Sequence, residues 1–120
     1  MKTTIEKKSF LFAVRIVKLC RYLQEEKKEY ILSKQLLRSG TSIGANVAES
    51  QQAQSRADFI SKMNISLKEA AETNYWLRLL RASEYLTEIE FSSVIVDCRE
   101  LEKMLTSIIK SSRNSINQSS

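Results

Sequence analysis

The chain contains no proline and only two glycines in 120 residues, and both glycines fall within residues 36–50. Turns between β-strands are rich in proline and glycine, so this composition predicts an almost wholly helical chain. Gly40 and Gly44 are four residues apart, which places them on one side of a helix. A glycine inside a helix costs roughly 1 kcal/mol relative to alanine. We therefore expect neighbouring helices to pack closely against the bare backbone of this segment.

A phosphate-binding loop is the alternative interpretation of these glycines. Such a loop follows a β-strand and combines its glycines with a lysine. Here no strand pattern precedes Gly40, and the flanking residues keep a helical spacing in which Leu36, Ile43 and Val47 share one stripe. The pattern favours a helix over the loop.

Apolar residues recur at helical spacing in four segments of the chain. The first two predicted helices span about residues 5–26 and 31–52. The third and fourth start near residues 56 and 88, where Ser55 with Asp58 and Thr87 with Glu90 have the spacing of helix N-caps. The charge run at residues 25–29 is interpreted as a solvated helix end and turn. Because the breaks are too short for crossovers, we predict an all-α, antiparallel up-down-up-down four-helix bundle.

One domain is expected from a chain of this length. The bundle is predicted to occupy residues 1–110, and the polar residues 111–120 are predicted to form a disordered tail. Cys20 and Cys98 lie on apolar stripes, so we expect two buried, reduced thiols. A disulfide between them is the alternative, and it would require facing positions on adjacent helices.

The sequence shows neither a membrane span nor a signal peptide. A span needs about 20 apolar residues in a row, and no run approaches that length. Arg15 and Lys18 interrupt the apolar segment near the N-terminus. Together with the expected reduced thiols, this predicts a cytoplasmic protein without membrane contact.

The net charge of +5 is concentrated near the N-terminus. Residues 1–38 hold ten Lys/Arg and four Glu, whereas residues 39–120 hold nine Lys/Arg and ten Asp/Glu. The first helix gathers basic side chains on one arc, namely Lys7, Lys8, Arg15, Lys18 and Arg21. We take this arc as a candidate surface for RNA or DNA phosphates, with Tyr22 as a candidate stacking residue. Ordinary solubilising charges are the alternative, and Glu6 and Glu25 near the arc favour it.

The third helix carries apolar residues on two faces. One face suits the core and includes Asn74, which we expect to form hydrogen bonds that fix helix register. Ile65, Trp76 and Leu79 lie on the other side. A second apolar face on a surface helix needs a partner, so we predict an oligomer interface at these three residues.

Recognisable catalytic chemistry is missing from the sequence. The chain has no histidine and both cysteines are expected in the core, so we predict neither a Cys/His nucleophile pair nor a zinc site. Glu100 and Glu102 are two residues apart and diverge on a helix. We therefore expect no enzyme, no catalytic residues, no cofactor and no metal.

Two separated motifs resemble a known bacterial family. They read LLRSGTSIGANVAE at residues 36–49 and LKEAAETNYWL at residues 67–77, with DFI at residues 58–60 between them. The chain thereby resembles the four-helix-bundle proteins named for the reading frame within intervening sequences of 23S ribosomal RNA genes. Many members have no established role, and the similarity covers about residues 10–110.

This resemblance implies an up-down bundle that assembles into a homopentamer, and it supplies no catalytic residues. It also points to a related pentameric bundle, the accessory protein of diversity-generating retroelements, which binds nucleic acid and a reverse transcriptase. Two functions therefore stay open. One is a nucleic-acid-binding accessory protein that uses the basic arc; the other is a structural or protein-interaction module whose ring presents surfaces to a protein partner.

Overall fold

In a computed structural model the chain forms four α-helices joined by three short turns; the structure describes residues 3–119. The helices are α1 (Thr4–Glu25), α2 (Leu32–Ser50), α3 (Arg56–Ala82) and α4 (Glu88–Ser119). Each helix packs on the next in sequence, and α4 returns against α1. The molecule measures 53 × 22 × 21 Å. The predicted all-α, antiparallel up-down-up-down bundle is confirmed.

Two helices begin with the capping interactions that the sequence indicates. The Ser55 hydroxyl accepts a hydrogen bond from the Asp58 backbone N–H at 3.0 Å, which starts α3. At the start of α4, the Thr87 hydroxyl accepts from the Glu90 N–H at 3.2 Å, and the Glu90 carboxylate accepts from the Thr87 N–H at 2.8 Å. Both interactions satisfy backbone donors that a helix leaves unpaired at its first turn.

The start of α2 differs from the expected solvated turn. Glu29, the last residue of the charge run, is only 7% exposed. Its carboxylate accepts hydrogen bonds from the backbone N–H groups of Ile31 at 3.2 Å, Leu32 at 3.0 Å and Ser33 at 2.7 Å. The N-cap residue Ile31 has no side chain able to do this. Glu29 therefore caps α2 from two residues before the N-cap, where its negative charge also suits the positive end of the helix dipole.

The core is one apolar cluster that runs along the bundle axis. Every helix contributes to it at the predicted three- and four-residue spacing. The largest fully buried apolar side chains are Ile16, Leu23, Leu36, Ile43, Val47, Met63, Leu77, Leu80, Leu86, Val94 and Leu105. Within the described residues, each buried side-chain nitrogen or oxygen has a hydrogen-bond partner.

Both glycines of α2 face α1 at close range. A Cβ atom on Gly40 would lie 2.8 Å from Cγ2 of Ile16, and one on Gly44 would lie 3.1 Å from the carbonyl oxygen of Ser9. Neither glycine has a positive φ angle, so they provide space and not unusual backbone geometry. The expected close approach of a neighbouring helix is confirmed, and the glycines lie within a continuous helix and not in a loop.

Small hydroxyl side chains join α2 to α3. The buried Thr73 hydroxyl donates to the Ser39 hydroxyl at 3.0 Å, and the Ser66 hydroxyl donates to the Ile43 carbonyl at 2.8 Å. Such short side chains let two helix backbones approach while their polar atoms stay hydrogen-bonded. α3 therefore packs against α2 about as closely as α1 does.

Asn74 links α3 to α4, as expected of a polar residue beside the core. Its amide donates to the Glu102 carboxylate at 2.9 Å. Its carbonyl oxygen accepts from Arg78 Nε at 2.8 Å. The amide is therefore held at both ends.

Cys20 and Cys98 are buried free thiols, as the sequence predicts. Their Sγ atoms lie 3.3 Å from the Ser33 carbonyl oxygen and 3.4 Å from the Ala70 carbonyl oxygen. Burial raises the pKa of each thiol to about 12, with Glu29 adding to the rise at Cys20 and Glu102 at Cys98. Both thiols stay protonated at neutral pH, so they are poor nucleophiles.

α4 extends to Ser119 in the structure, and the disordered tail expected over residues 111–120 stays a prediction. Residues 111–119 continue the helix, and Ser120 lies outside the described residues. No proline or glycine interrupts this segment, and extending a formed helix by one residue is far easier than nucleating a new one.

Among the described residues, no helix combines the length and the apolar character that crossing a bilayer requires.

Replacing Gly40 with alanine tests the close α1–α2 contact. The new methyl group would press against Ile16, which is fully buried and cannot move aside. Overpacking of this kind costs about 1–3 kcal/mol, against roughly 1 kcal/mol gained through helix propensity. We expect Gly40→Ala to lower the free energy of unfolding in urea. The cost should shrink in an Ile16→Ala background, and an equal cost in both backgrounds would contradict the contact.

The capping role of Glu29 is tested by replacing it with alanine. Glu29→Ala removes the acceptor for three backbone donors, so we expect a loss of about 2 kcal/mol in the free energy of unfolding. Glu26→Ala, at an exposed position in the same turn, is the matched control and should change stability little. Equal effects of the two substitutions would show that Glu29 does not act as a cap.

Candidate nucleic-acid interface

The structure divides the basic arc of α1 into two groups. Lys8 and Arg15 lie on the side of α1 that faces α4, and both form ion pairs with acidic residues of α4. Lys8 pairs with Glu100, and Arg15 Nη1 lies 2.7 Å from Asp97 Oδ2. The same Arg15 nitrogen donates to the Ser93 carbonyl oxygen at 3.3 Å. These two members of the arc are therefore largely neutralised by α4.

The second group comprises Lys7, Lys18 and Arg21, whose side chains are exposed on the outer face of α1. Among the described residues, no carboxylate lies within 4 Å of any of the three. From Lys7 to Arg21 this outer face extends for about 21 Å at the helical rise of 1.5 Å per residue. Leu11 and Val14, 65% and 37% exposed, lie between the charges. This group remains available to a polyanion.

The α1–α4 seam explains this division. α1 and α4 are the least closely packed pair of neighbouring helices in the bundle. A groove of about 350 Å³ lies between them, with Leu11, Phe12 and Leu101 along its apolar part. Long charged side chains bridge the gap where the backbones do not meet. The ion pairs are therefore a consequence of the helix packing.

Tyr22 is positioned differently from an open stacking residue. Its ring is partly buried against the core, and Lys27 Nζ lies 5.8 Å from the ring centroid. The pKa of Glu90 is lowered by the Thr87 backbone N–H and also by the Tyr22 hydroxyl. Because the Tyr22 ring packs against the core, less of it is open to stacking on a base.

The second apolar face of α3 is only partly open. Ile65 is 41% exposed, whereas Trp76 and Leu79 are half-buried. Trp76 packs against the core cluster, and its Nε1 donates to Glu72 at 2.9 Å. Glu72 in turn pairs with Arg38 of α2. Of the three predicted interface residues, Ile65 is therefore the most available to another molecule.

A further groove lies between α1 and α2 on the outside of the bundle. Its volume is about 340 Å³, and its walls include Phe10, Ala13, Gly44 and Ala48. Phe10 is 52% exposed. The groove is apolar because the small residues of α2 leave the neighbouring surface of α1 uncovered.

The outer sides of α3 and α4 carry a basic surface that sequence reasoning missed. We call it the α3–α4 basic face, and its exposed members are Lys68, Arg78, Arg99, Lys103, Lys110 and Arg113. Net charge over residues 39–120 hides this face, because that segment also holds ten acidic residues. A helical wheel of α4 would have grouped its bases on one side of the core stripe, but it would not have shown which acids are paired elsewhere.

Residues 3–119 offer no cluster of side chains suited to binding a metal ion. Within that range, no group of three or more His, Cys, Asp or Glu side chains is placed to hold a metal ion. The ionisable residues instead serve helix caps, helix seams and the outer surface.

Comparison with known proteins agrees with the fold. The chain matches the family described as 23S rRNA-intervening sequence protein over residues 1–107. It is 58% identical to a protein of unknown function from the S23 ribosomal protein family of Bacteroides thetaiotaomicron, whose crystal structure superimposes with a TM-score of 0.88. That match covers 89% of this chain and 99% of the other. A search of curated proteins finds no significant match. With nearly its whole length matched, the chain belongs to the 23S rRNA-intervening sequence protein family.

Proposed function

We propose that this protein is a non-enzymatic, nucleic-acid-binding accessory protein that uses the outer face of α1 in the cytoplasm. The observation that carries the proposal is the set Lys7, Lys18 and Arg21, exposed along about 21 Å of one helix and without an ion pair among the residues that the structure describes. Lysine and arginine side chains in such a row suit the phosphates of RNA or DNA. Because they contact phosphates and not base edges, binding should tolerate many sequences.

The two paired residues of the arc have a secondary role in this proposal. Exposed ion pairs such as Lys8–Glu100 and Arg15–Asp97 contribute about 0–1 kcal/mol to stability. A nucleic acid phosphate would have to compete with Glu100 and Asp97 for these side chains. We therefore place the main phosphate contacts on Lys7, Lys18 and Arg21.

We further propose that the protein works as a homo-oligomer, with five subunits taken from the family resemblance. Support within the chain comes from Ile65, which is 41% exposed beside the half-buried Trp76 and Leu79. A ring would repeat the α1 surface in every subunit and increase affinity through multivalency. A reverse transcriptase is a protein partner suggested by the same resemblance.

A protein-interaction module is the second candidate function. The apolar α1–α2 groove favours it, because Phe10 is 52% exposed in a setting of small residues that would accept a partner's side chain. In this alternative the lysines of α1 serve solubility.

Binding to a mixed-sequence oligonucleotide across a salt series tests the α1 surface. Fluorescence anisotropy should show affinity falling steeply between about 50 and 200 mM salt. Lys18→Glu combined with Arg21→Glu should weaken binding and reduce the slope of log affinity against log salt by about 1 for each phosphate that the variant no longer neutralises. Helicity and assembly should be unchanged, because both side chains are exposed.

The matched control is Lys34→Glu with Arg56→Glu, which makes the same change in charge at exposed positions on α2 and α3. This control should retain most of the affinity. If the wild type does not bind at low salt, or if both double variants bind equally, the α1 surface is not the nucleic-acid site.

Oligomerisation is tested by light scattering at micromolar concentration. Ile65→Glu places a charge on the predicted interface without touching a fully buried residue, so it should give smaller particles with unchanged helicity. Ile89→Glu is the matched control at an 83% exposed position outside that face and should leave particle size unchanged. A monomeric wild type would exclude the proposed assembly.

A further inference from the structure

The carboxylates of α3 and α4 are consumed by interactions with other parts of the chain. Across the seams, Asp97 and Glu100 pair with α1, whereas Glu69 and Glu72 pair with Arg38 of α2. At the helix ends, Asp58 and Glu90 accept hydrogen bonds from the backbone N–H groups of Gln54 and Thr87, and Glu88 forms an ion pair with Arg81. Between α3 and α4, Glu102 accepts a hydrogen bond from Asn74. The negative charges therefore lie at seams and caps.

The bases of the α3–α4 basic face have no such acidic partners. Among the described residues, no carboxylate side chain lies within 4 Å of Lys68, Arg99, Lys103, Lys110 or Arg113. Arg78 donates to the neutral amide oxygen of Asn74. Apart from Glu102 in the α3–α4 seam, the outward surface thus carries mainly bases, although residues 39–120 together are nearly neutral.

An aromatic ring lies within this positive surface. Tyr75 is 50% exposed, and the Arg78 guanidinium lies 5.8 Å from its ring centroid. Tyr75 also meets Trp76 edge to face, with 5.1 Å between ring centroids and an interplanar angle of 73°. A half-exposed ring with a guanidinium beside it suits stacking with a nucleobase.

The antiparallel packing joins these groups into one track. Cys98 Sγ lies 3.4 Å from the Ala70 carbonyl oxygen, so Arg99 is level with the Lys68 end of the α3 row. From there α4 continues away from Tyr75 through Lys103 and Lys110, about 17 Å along its axis from Arg99. Tyr75 and Arg78 lie at one end of the track, and the other bases follow toward the opposite end.

We infer that the α3–α4 basic face is a binding site for single-stranded nucleic acid, with one base stacked on Tyr75 and the backbone phosphates along Arg78, Lys68, Arg99 and Lys103. Single strands expose base faces, whereas a duplex hides them in its stack. An acidic protein segment would supply charge but no flat ring for Tyr75. The inference extends the proposed function to a second surface that shares no residue with α1.

Trp76 provides a local readout, because it is the single tryptophan in the chain and contacts Tyr75. Adding a mixed-sequence single-stranded DNA should change its fluorescence in the wild-type protein and in the α1 variant Lys18→Glu with Arg21→Glu. Tyr75→Ala should abolish this change and weaken binding by about 5- to 100-fold. Tyr75→Phe keeps the ring and should bind nearly as the wild type does.

The phosphate track is tested with Arg99→Glu combined with Lys103→Glu, both exposed and without a described ion pair. This variant should lose affinity by about tenfold or more at low salt while keeping its helicity and particle size. Affinity equal to that of the wild type would overturn the inference. So would equal binding of a polyglutamate peptide, or an affinity for single strands that Tyr75→Ala leaves unchanged.

The same variants separate this inference from the α1 proposal. Loss of binding in the α3–α4 variants with normal binding in the α1 variant would support the α3–α4 site and overturn the α1 surface. The reverse result would overturn the α3–α4 site and leave the α1 proposal standing. Loss in both would support two surfaces.

Discussion

The close approach of Gly40 to Ile16 determines much of what surrounds it. Because no Cβ atom separates the two helices there, α1 is drawn onto α2, and its Ile16 side chain is fully buried. α1 packs less closely against α4, and ion pairs between long side chains span the gap. The glycine at position 40 of α2 thus influences which basic side chains of α1 form ion pairs with α4.

Local sequence patterns predicted the fold because each pattern involves only residues that are close together in the chain. The Thr87–Glu90 capping box, the Ser55 cap and the apolar stripes of α2 all depend on spacing along one helix. The capping role of Glu29 was missed because the carboxylate acts from outside the helix, within a run of charges that resembles a solvated turn.

The candidate site was harder to predict than the fold. The wheel of α1 grouped Lys8 and Arg15 with Lys18, yet their partners Glu100 and Asp97 lie more than eighty residues further along the chain. Which charges are paired depends on the packing of neighbouring helices, and a single sequence does not contain that information directly. For the same reason the α3–α4 basic face emerges only after the acids of these helices are assigned to seams and caps.

The loose α1–α4 seam has a consequence for motion. Its bridging side chains are partly exposed, so their attraction weakens as mobile ions screen it. A polyanion that binds Lys8 or Arg15 takes the place of Glu100 or Asp97 and so breaks the same ion pair. In both cases α1 loses tethers on one flank while α2 still holds the other. Ionic strength and ligand occupancy are thereby coupled to how readily this edge of the bundle opens, and amide hydrogen exchange along α1 would register both.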